Sequence, residues 1–105
     1  MNSKIRFILN EFKGAIRKIS GDNLERILLF GSHVRNEAKA GSDIDILIVL
    51  KNKPCFKEQS EIRRISNILS LKYDIVISEF LFTQGEYQKY RTPFLLNIKK
   101  EGILV

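Results

Sequence analysis

Residues 30–47 read FGSHVRNEAKAGSDIDIL and join two apolar segments. The upstream segment, residues 27–30, is a short apolar run without helical period, and the downstream segment, residues 44–50, is rich in β-branched side chains. Both patterns are typical of buried strands. A glycine–serine pair ends the first strand, and Asp43 and Asp45 open the second. The stretch therefore predicts two strands joined by a polar loop that forms a short helix or a turn.

The segments on either side alternate between helical and strand patterns. Apolar residues at spacings of three and four predict a long helix over residues 3–19 and a second over residues 57–70. The remaining expected elements are a third strand at 73–77, a short helix at 85–91, a last helix from Pro93 with Leu95, Leu96 and Ile98 inward, and an edge strand at 103–105. This alternation predicts one α/β or α+β sheet domain that spans residues 1–105.

Composition and charge narrow the class of protein. Apolar residues make up 44% of the 105 residues and charged residues 29%, which argues against intrinsic disorder. We expect no membrane span and no signal peptide, and a single cysteine, Cys55, agrees with a cytoplasmic protein. The net charge of +6 attracts anions. Because the basic residues are spread along the chain, they favour solvated helix faces over a dedicated nucleic-acid groove.

The two aspartates suggest a metal site. Side chains alternate across a strand, so Asp43 and Asp45 point to the same face. Carboxylates that lie close together repel unless a cation sits between them, and oxygen ligands select a hard ion such as Mg²⁺. Taken alone, the Asp-x-Asp pattern is equally typical of a strand that begins at a solvated edge.

The pair Gly31-Ser32 suggests an anion site beside the aspartates. Glycine lets the backbone approach a phosphate closely, and the serine hydroxyl can donate to a phosphate oxygen or cap a helix. A helix that starts here would also direct backbone N–H groups at an anion. Gly-Ser is a common turn by itself, but together with the aspartates it predicts a site for a metal and a polyphosphate.

The spacing of these motifs is similar to a known signature. Gly31-Ser32, ten intervening residues and then Asp43-x-Asp45 resemble the DNA polymerase β–type nucleotidyltransferase superfamily, and within it the minimal nucleotidyltransferases, the MNT partners of HEPN/MNT toxin–antitoxin pairs. The resemblance covers most of the chain, including the tail at residues 98–104. It implies the nucleotidyltransferase fold, a small mixed sheet flanked by helices.

The resemblance also implies further site residues. Family members carry a third carboxylate on the neighbouring strand, which Asp74 matches, with Glu79 as the runner-up. Arg35 matches the usual arginine, which either contacts phosphate or braces the loop. The chain departs from the family at Asn36, where glycine is frequent, and asparagine tolerates a left-handed backbone. His33 occupies a variable position and is expected to be an exposed loop residue; Lys39 is not assigned a role.

The family's chemistry implies transfer of a nucleoside monophosphate to a hydroxyl. Asp43 and Asp45 would hold two Mg²⁺ ions, one of them completed by Asp74, while Gly31 and Ser32 steady the triphosphate. For the minimal group the expected reaction is transfer of AMP from ATP to a tyrosine of a cognate HEPN toxin. Two alternatives stay open: an antitoxin that acts by binding alone, and a nucleotidyltransferase for a small molecule or RNA end that works with a partner subunit. Assembly into homo- or hetero-oligomers is also left open.

Overall fold

The computed structural model describes residues 2–35, 37–39 and 41–105. The expectation for Asn36 lies outside these residues. The elements are, in order, α1 (Ser3–Ser20), a 3₁₀ turn (Gly21–Asn23), β1 (Leu24–Phe30), β2 (Ile44–Leu50), α2 (Phe56–Tyr73), β3 (Ile77–Thr83), α3 (Gln84–Lys89), α4 (Pro93–Glu101) and β4 (Ile103–Leu104). This confirms the expected α+β architecture, a mixed sheet flanked by helices.

The sheet has the strand order β3-β2-β1-β4. β1 and β2 pair antiparallel, with Phe30 opposite Asp45. β4 pairs with the other side of β1, also antiparallel. β2 and β3 pair in parallel, with Asp45 opposite Ser78. A parallel pair needs a long crossover, which α2 supplies. The end of β1 and the starts of β2 and β3 therefore meet at one edge of the sheet, and the predicted site residues lie along that edge.

Helices cover both faces of the two central strands. On one face, α1 and α2 pack on inward side chains that include Ile44, Ile46 and Ile48. On the other face, Leu47 and Val49 contact α4. Because β2 is buried on both sides, its sequence is a continuous apolar run rather than an alternating one. Asp45 is the exception in this run, and it lies on the face of Leu47 and Val49.

Helix ends are fixed by local capping. The Asn2 side chain accepts a hydrogen bond from the Ile5 amide at 2.9 Å at the start of α1. The Thr92 hydroxyl accepts one from the Leu95 amide at 3.3 Å, and Pro93 occupies the first turn of α4, as expected. Cys55 is exposed and caps the start of α2.

The third strand was predicted at the wrong place. Residues 73–77 were expected to form it, but α2 continues to Tyr73, and Asp74 ends the helix in the left-handed region with φ of 52°. The Ile75 amide then donates to the Ser70 carbonyl at 3.1 Å, which closes a helix C-cap. β3 starts at Ile77 and runs for seven residues, which matches β2 along its whole length.

One smaller expectation also needs correction, and one open alternative is resolved. Leu96 was expected to point inward on α4 but is exposed, whereas Leu95 and Ile98 are buried as predicted. In the described part of the loop between β1 and β2 there are turns and no helix, so the turn was the correct alternative.

Within the described ranges, none of the helices combines the length and apolar character that crossing a bilayer demands.

Candidate functional site

The site begins where Gly31 meets Asp45. Gly31 follows β1 with φ of +84° and is buried. A Cβ placed on Gly31 would lie 2.3 Å from Asp45 Oδ2, so the carboxylate occupies the space that a side chain would fill. Glycine is required here for two reasons, its backbone conformation and this close approach. The Gly31 carbonyl accepts hydrogen bonds from the Val34 and Arg35 amides at 3.1 and 3.3 Å, which close the turn.

The Asp45 carboxylate lies in an unfavourable electrostatic environment. Its pKa is raised above the ordinary value of 3.8, first by burial and then by the negative charge of Asp43. His33 and the Arg35 guanidinium act in the opposite direction and lower the pKa of Asp45. Asp43 itself is exposed at the entry to β2. The two carboxylates are therefore close enough for Asp43 to disfavour the charged form of Asp45, and a cation or a proton would relieve this repulsion.

Arg35 lies at the edge of the site between two carboxylates. Its Nε donates to Glu37 Oε2 at 3.1 Å, and its Nη1 donates to Glu101 Oε2 at 3.3 Å. These hydrogen bonds, that to Glu37 first, raise the pKa of Arg35 above its usual range, so the guanidinium stays charged. Arg35 thus braces the loop against α4 while it adds positive charge beside Asp45.

A second set of contacts ties the loop to the start of β2. His33 Nε2 lies 3.1 Å from the Ser42 carbonyl oxygen. Because a carbonyl only accepts, Nε2 carries the proton in this contact. The Ser42 hydroxyl accepts from the Lys39 amide at 2.8 Å. His33 is half-buried and bonded within the protein rather than an exposed loop residue as expected, and Ser32 beside it is half-buried too.

These residues surround a cleft of about 260 Å³. Its walls are Phe30, Gly31, Arg35, Asp45, Phe94, Asn97, Ile98 and Glu101. A wider and more open hollow of about 630 Å³ lies near Lys18 and Glu58. Its walls carry both lysine and glutamate side chains and do not include Gly31. We regard the smaller cleft as the functional one, because a partly buried carboxylate meets a glycine backbone and an arginine there.

The third carboxylate is not assembled with the first two. Among the residues that the structure describes, no three histidine, cysteine, aspartate or glutamate side chains converge as a metal site. Asp74 lies exposed at the C-cap of α2, at the same edge of the sheet, since the Ile44 amide donates to the Val76 carbonyl at 2.9 Å. Glu79 on β3 lies opposite Ile46, so it points to the face of the sheet away from Asp45, where it pairs with Arg63 at 3.0 Å.

One wall of the cleft was missed in the sequence. Phe94 lies three and four residues before Asn97 and Ile98, and Glu101 lies four and three residues after them, which places all four on one face of α4. That spacing is visible in the sequence, but nothing in it says that α4 packs beside Asp45. The sequence feature that could have indicated this wall is the presence of two polar residues, Asn97 and Glu101, on the helix face that also carries Ile98.

Comparison with known proteins adds an independent line of evidence. Residues 9–105 match the family described as nucleotidyltransferase domain. The chain is 38% identical over 98 residues to MJ0141 of Methanocaldococcus jannaschii, a protein provisionally named as a protein adenylyltransferase, and the match covers 93% of this chain and 95% of that protein.

Solved structures share the fold. One is the tri-AMPylated Shewanella oneidensis HEPN toxin in complex with MNT antitoxin, with a TM-score of 0.60 at 17% identity over 94% of this chain and 69% of that chain. Another is spectinomycin adenyltransferase AAD(9) of Enterococcus faecialis with ATP and spectinomycin, with a TM-score of 0.66 at 23% identity over 94% of this chain and 48% of that chain.

Proposed function

The chain belongs to the nucleotidyltransferase domain family, and from this premise we propose that it transfers AMP from ATP to a hydroxyl of a protein partner. The acceptor we propose is a tyrosine of a HEPN-type toxin, so that the chain acts as an antitoxin. The observation that carries the proposal is the Asp45 carboxylate packed against the Gly31 backbone in a cleft that Arg35 also lines.

The electrostatics of the cleft support catalysis over plain binding. Burial and Asp43 disfavour the charged form of Asp45, so the pair stores unfavourable energy in the folded chain. A module that neutralises its toxin by contact alone gains nothing from such a pair. The provisional name of the relative MJ0141 and the AMPylated toxin held by the Shewanella antitoxin support the nucleotide and the acceptor, respectively.

The donor set fits Mg²⁺. Carboxylate oxygens are hard ligands, and Mg²⁺ is commonly held by one or two carboxylates together with phosphate oxygens of the substrate. Asp43 and Asp45 would supply the protein ligands, and the cation would relieve the repulsion between them. When bound, the metal neutralises charge on the triphosphate and lowers the pKa of the attacking hydroxyl. A second ion would need a further carboxylate, for which Asp74 stays our candidate.

The other residues bind and orient the nucleotide. Gly31 lets phosphate oxygens approach the backbone, Ser32 donates its hydroxyl, and Arg35 offsets phosphate charge at the cleft edge. In the reaction the acceptor oxygen forms a bond to the α-phosphorus, and the bond from that phosphorus to the bridging oxygen breaks. Pyrophosphate leaves, and the hydroxyl proton passes to water.

The size of the cleft supports a macromolecular acceptor. At about 260 Å³ it is below the usual range for a pocket that encloses a drug-sized ligand, so the acceptor would be held by a surface outside it.

We further propose that residues 1–105 act as one domain in the cytoplasm, which the single cysteine supports.

A labelling experiment tests the function. The chain is incubated with α-labelled ATP, Mg²⁺ and a candidate HEPN-type toxin, and the label is followed on each component. We expect label on that protein, and its loss in Asp43→Asn and Asp45→Asn, while Asp22→Asn, an exposed acid in the 3₁₀ turn, keeps full labelling. Neutralisation of the toxin without label would indicate the binding antitoxin, and label on RNA or an antibiotic would indicate the other alternative.

A further inference from the structure

We propose that Glu101 is a positioning residue that holds Arg35 against the cleft wall, where its guanidinium meets the phosphates of the nucleotide. The inference rests on the proposed function, because it concerns how the same cleft binds its triphosphate. It assigns a role to the end of α4, a segment that the site motifs around residues 31–45 do not include.

The two carboxylates that hold Arg35 are anchored differently. Glu37 belongs to the same loop as Arg35, so it moves whenever the loop moves. Glu101 is the last residue of α4, whose Leu95 and Ile98 are buried against β1 and β2. The contact from Arg35 Nη1 to Glu101 spans 66 positions in the sequence. Glu101 is therefore the partner that fixes Arg35 relative to the sheet and to Asp45.

Arginine needs such an anchor at this position. Its side chain is long and has many rotamers, and ordering it when a ligand binds lowers affinity. Arg35 is 43% exposed, so packing leaves much of its side chain unconstrained. A carboxylate on a rigid helix selects one arrangement before the nucleotide arrives. The two glutamates accept hydrogen bonds from Nε and Nη1 of Arg35. The planar guanidinium has further N–H donors, and Arg35 lines the cleft.

Charge and position make opposite predictions for Glu101. Its carboxylate lines the cleft and repels an anionic nucleotide. If it acted only through its charge, its neutralisation would tighten nucleotide binding. If Glu101 positions Arg35, neutralisation of Glu101 weakens nucleotide binding. The Arg35 side chain is then mobile in the free protein, and ordering it when the nucleotide binds lowers the affinity. The sign of the effect therefore separates the two roles.

The test measures the Kd of Mg·ATP by isothermal titration calorimetry for a set of variants. We expect Glu101→Gln to raise Kd by about three- to tenfold, in line with the ordering of one long side chain. Glu101→Asp keeps the charge but shortens the reach across a 3.3 Å contact, and we expect it to resemble Glu101→Gln. The comparison variant, Glu37→Gln, loses the loop partner only, and we expect it to weaken binding less than Glu101→Gln does.

A double-mutant cycle with Arg35→Gln completes the experiment. In that background Glu101→Gln should no longer weaken binding, and removal of its negative charge should tighten it. Equal or tighter binding by Glu101→Gln in the native background would overturn the inference, as would weakening of the same size without Arg35. Absence of Mg·ATP binding by the unmodified chain would instead remove the proposed function, and the inference with it. Thermal unfolding confirms that each variant is folded.

Discussion

Replacement of Gly31 by alanine should displace Asp45. The new Cβ would lie 2.3 Å from Asp45 Oδ2, 3.2 Å from its Cγ and 3.3 Å from its Cβ. Since carbon atoms pack at about 3.5 Å, the carboxylate oxygen must move by roughly 1 Å. A displacement of that size at a reacting centre costs on the order of 100-fold in rate. We therefore expect Gly31→Ala to lose about 99% of the label transfer and most Mg·ATP binding.

Gly41 provides a matched control. It has φ of +85°, against +84° for Gly31, but a Cβ at Gly41 would meet no atom within 4 Å among the described residues beyond its chain neighbours. Both alanine variants bear the left-handed backbone cost of about 1–2 kcal/mol. Only Gly31→Ala adds the crowding against Asp45, which we place at about 1–3 kcal/mol of unfolding free energy. Gly41→Ala should keep its labelling activity within about threefold.

Urea unfolding and nucleotide titration of the two variants decide the matter. In Gly31→Ala/Asp45→Ala the clashing carboxylate is gone, so the crowding part of the stability loss should be recovered. Equal unfolding free energies for Gly31→Ala and Gly41→Ala, together with full labelling by both, would refute the close approach of Gly31 and Asp45 and the reasoning built on it.

Three further predictions concern the carboxylates. The pKa of Asp45 is raised in the folded chain, so its contribution to stability is present below its unfolded pKa and is lost as the pH rises through the folded value. Asp45→Asn should therefore gain on the native chain in urea unfolding as the pH rises above the ordinary carboxyl value of 3.8, and a flat or reversed difference would contradict the raised pKa. Asp74→Asn and Asp74→Gly both tolerate the φ of 52° and should keep the helix cap, so a carboxylate needed for catalysis predicts loss of labelling in both variants. The runner-up Glu79 is tied to Arg63 on the other face, and Glu79→Gln should keep its labelling; activity retained by both Asp74 variants would remove Asp74 from the site.

The sequence predicted most of the fold because the apolar patterns were strong. The stripe on α1 and the doubly buried β2 follow directly from spacing and composition. The start of the third strand could not be predicted in the same way. Residues 73–77 carry three β-branched side chains, but whether they pair depends on the left-handed cap at Asp74 and on the length of β2. Tertiary pairing overrode the local preference.

The candidate site was predicted in part for a similar reason. Gly31 and Asp45 are joined by a loop and two neighbouring strands, so their approach follows from local topology and the motif spacing. Glu101 lies far along the chain, and its contact with Arg35 depends on how α4 packs on the sheet. The position of Asp74 depends on a single left-handed residue, which no periodicity reports.

The placement of β2 in the middle of the sheet has a consequence for nucleotide exchange. Asp45 lies on β2, which is paired with a strand on each side and covered on both faces. The backbone amides of β2 should therefore exchange hydrogen only through global unfolding. Arg35 is carried by a surface turn, whose amides should exchange through small local openings. Opening of the turn for nucleotide exchange would therefore leave β2 folded and Asp45 in place.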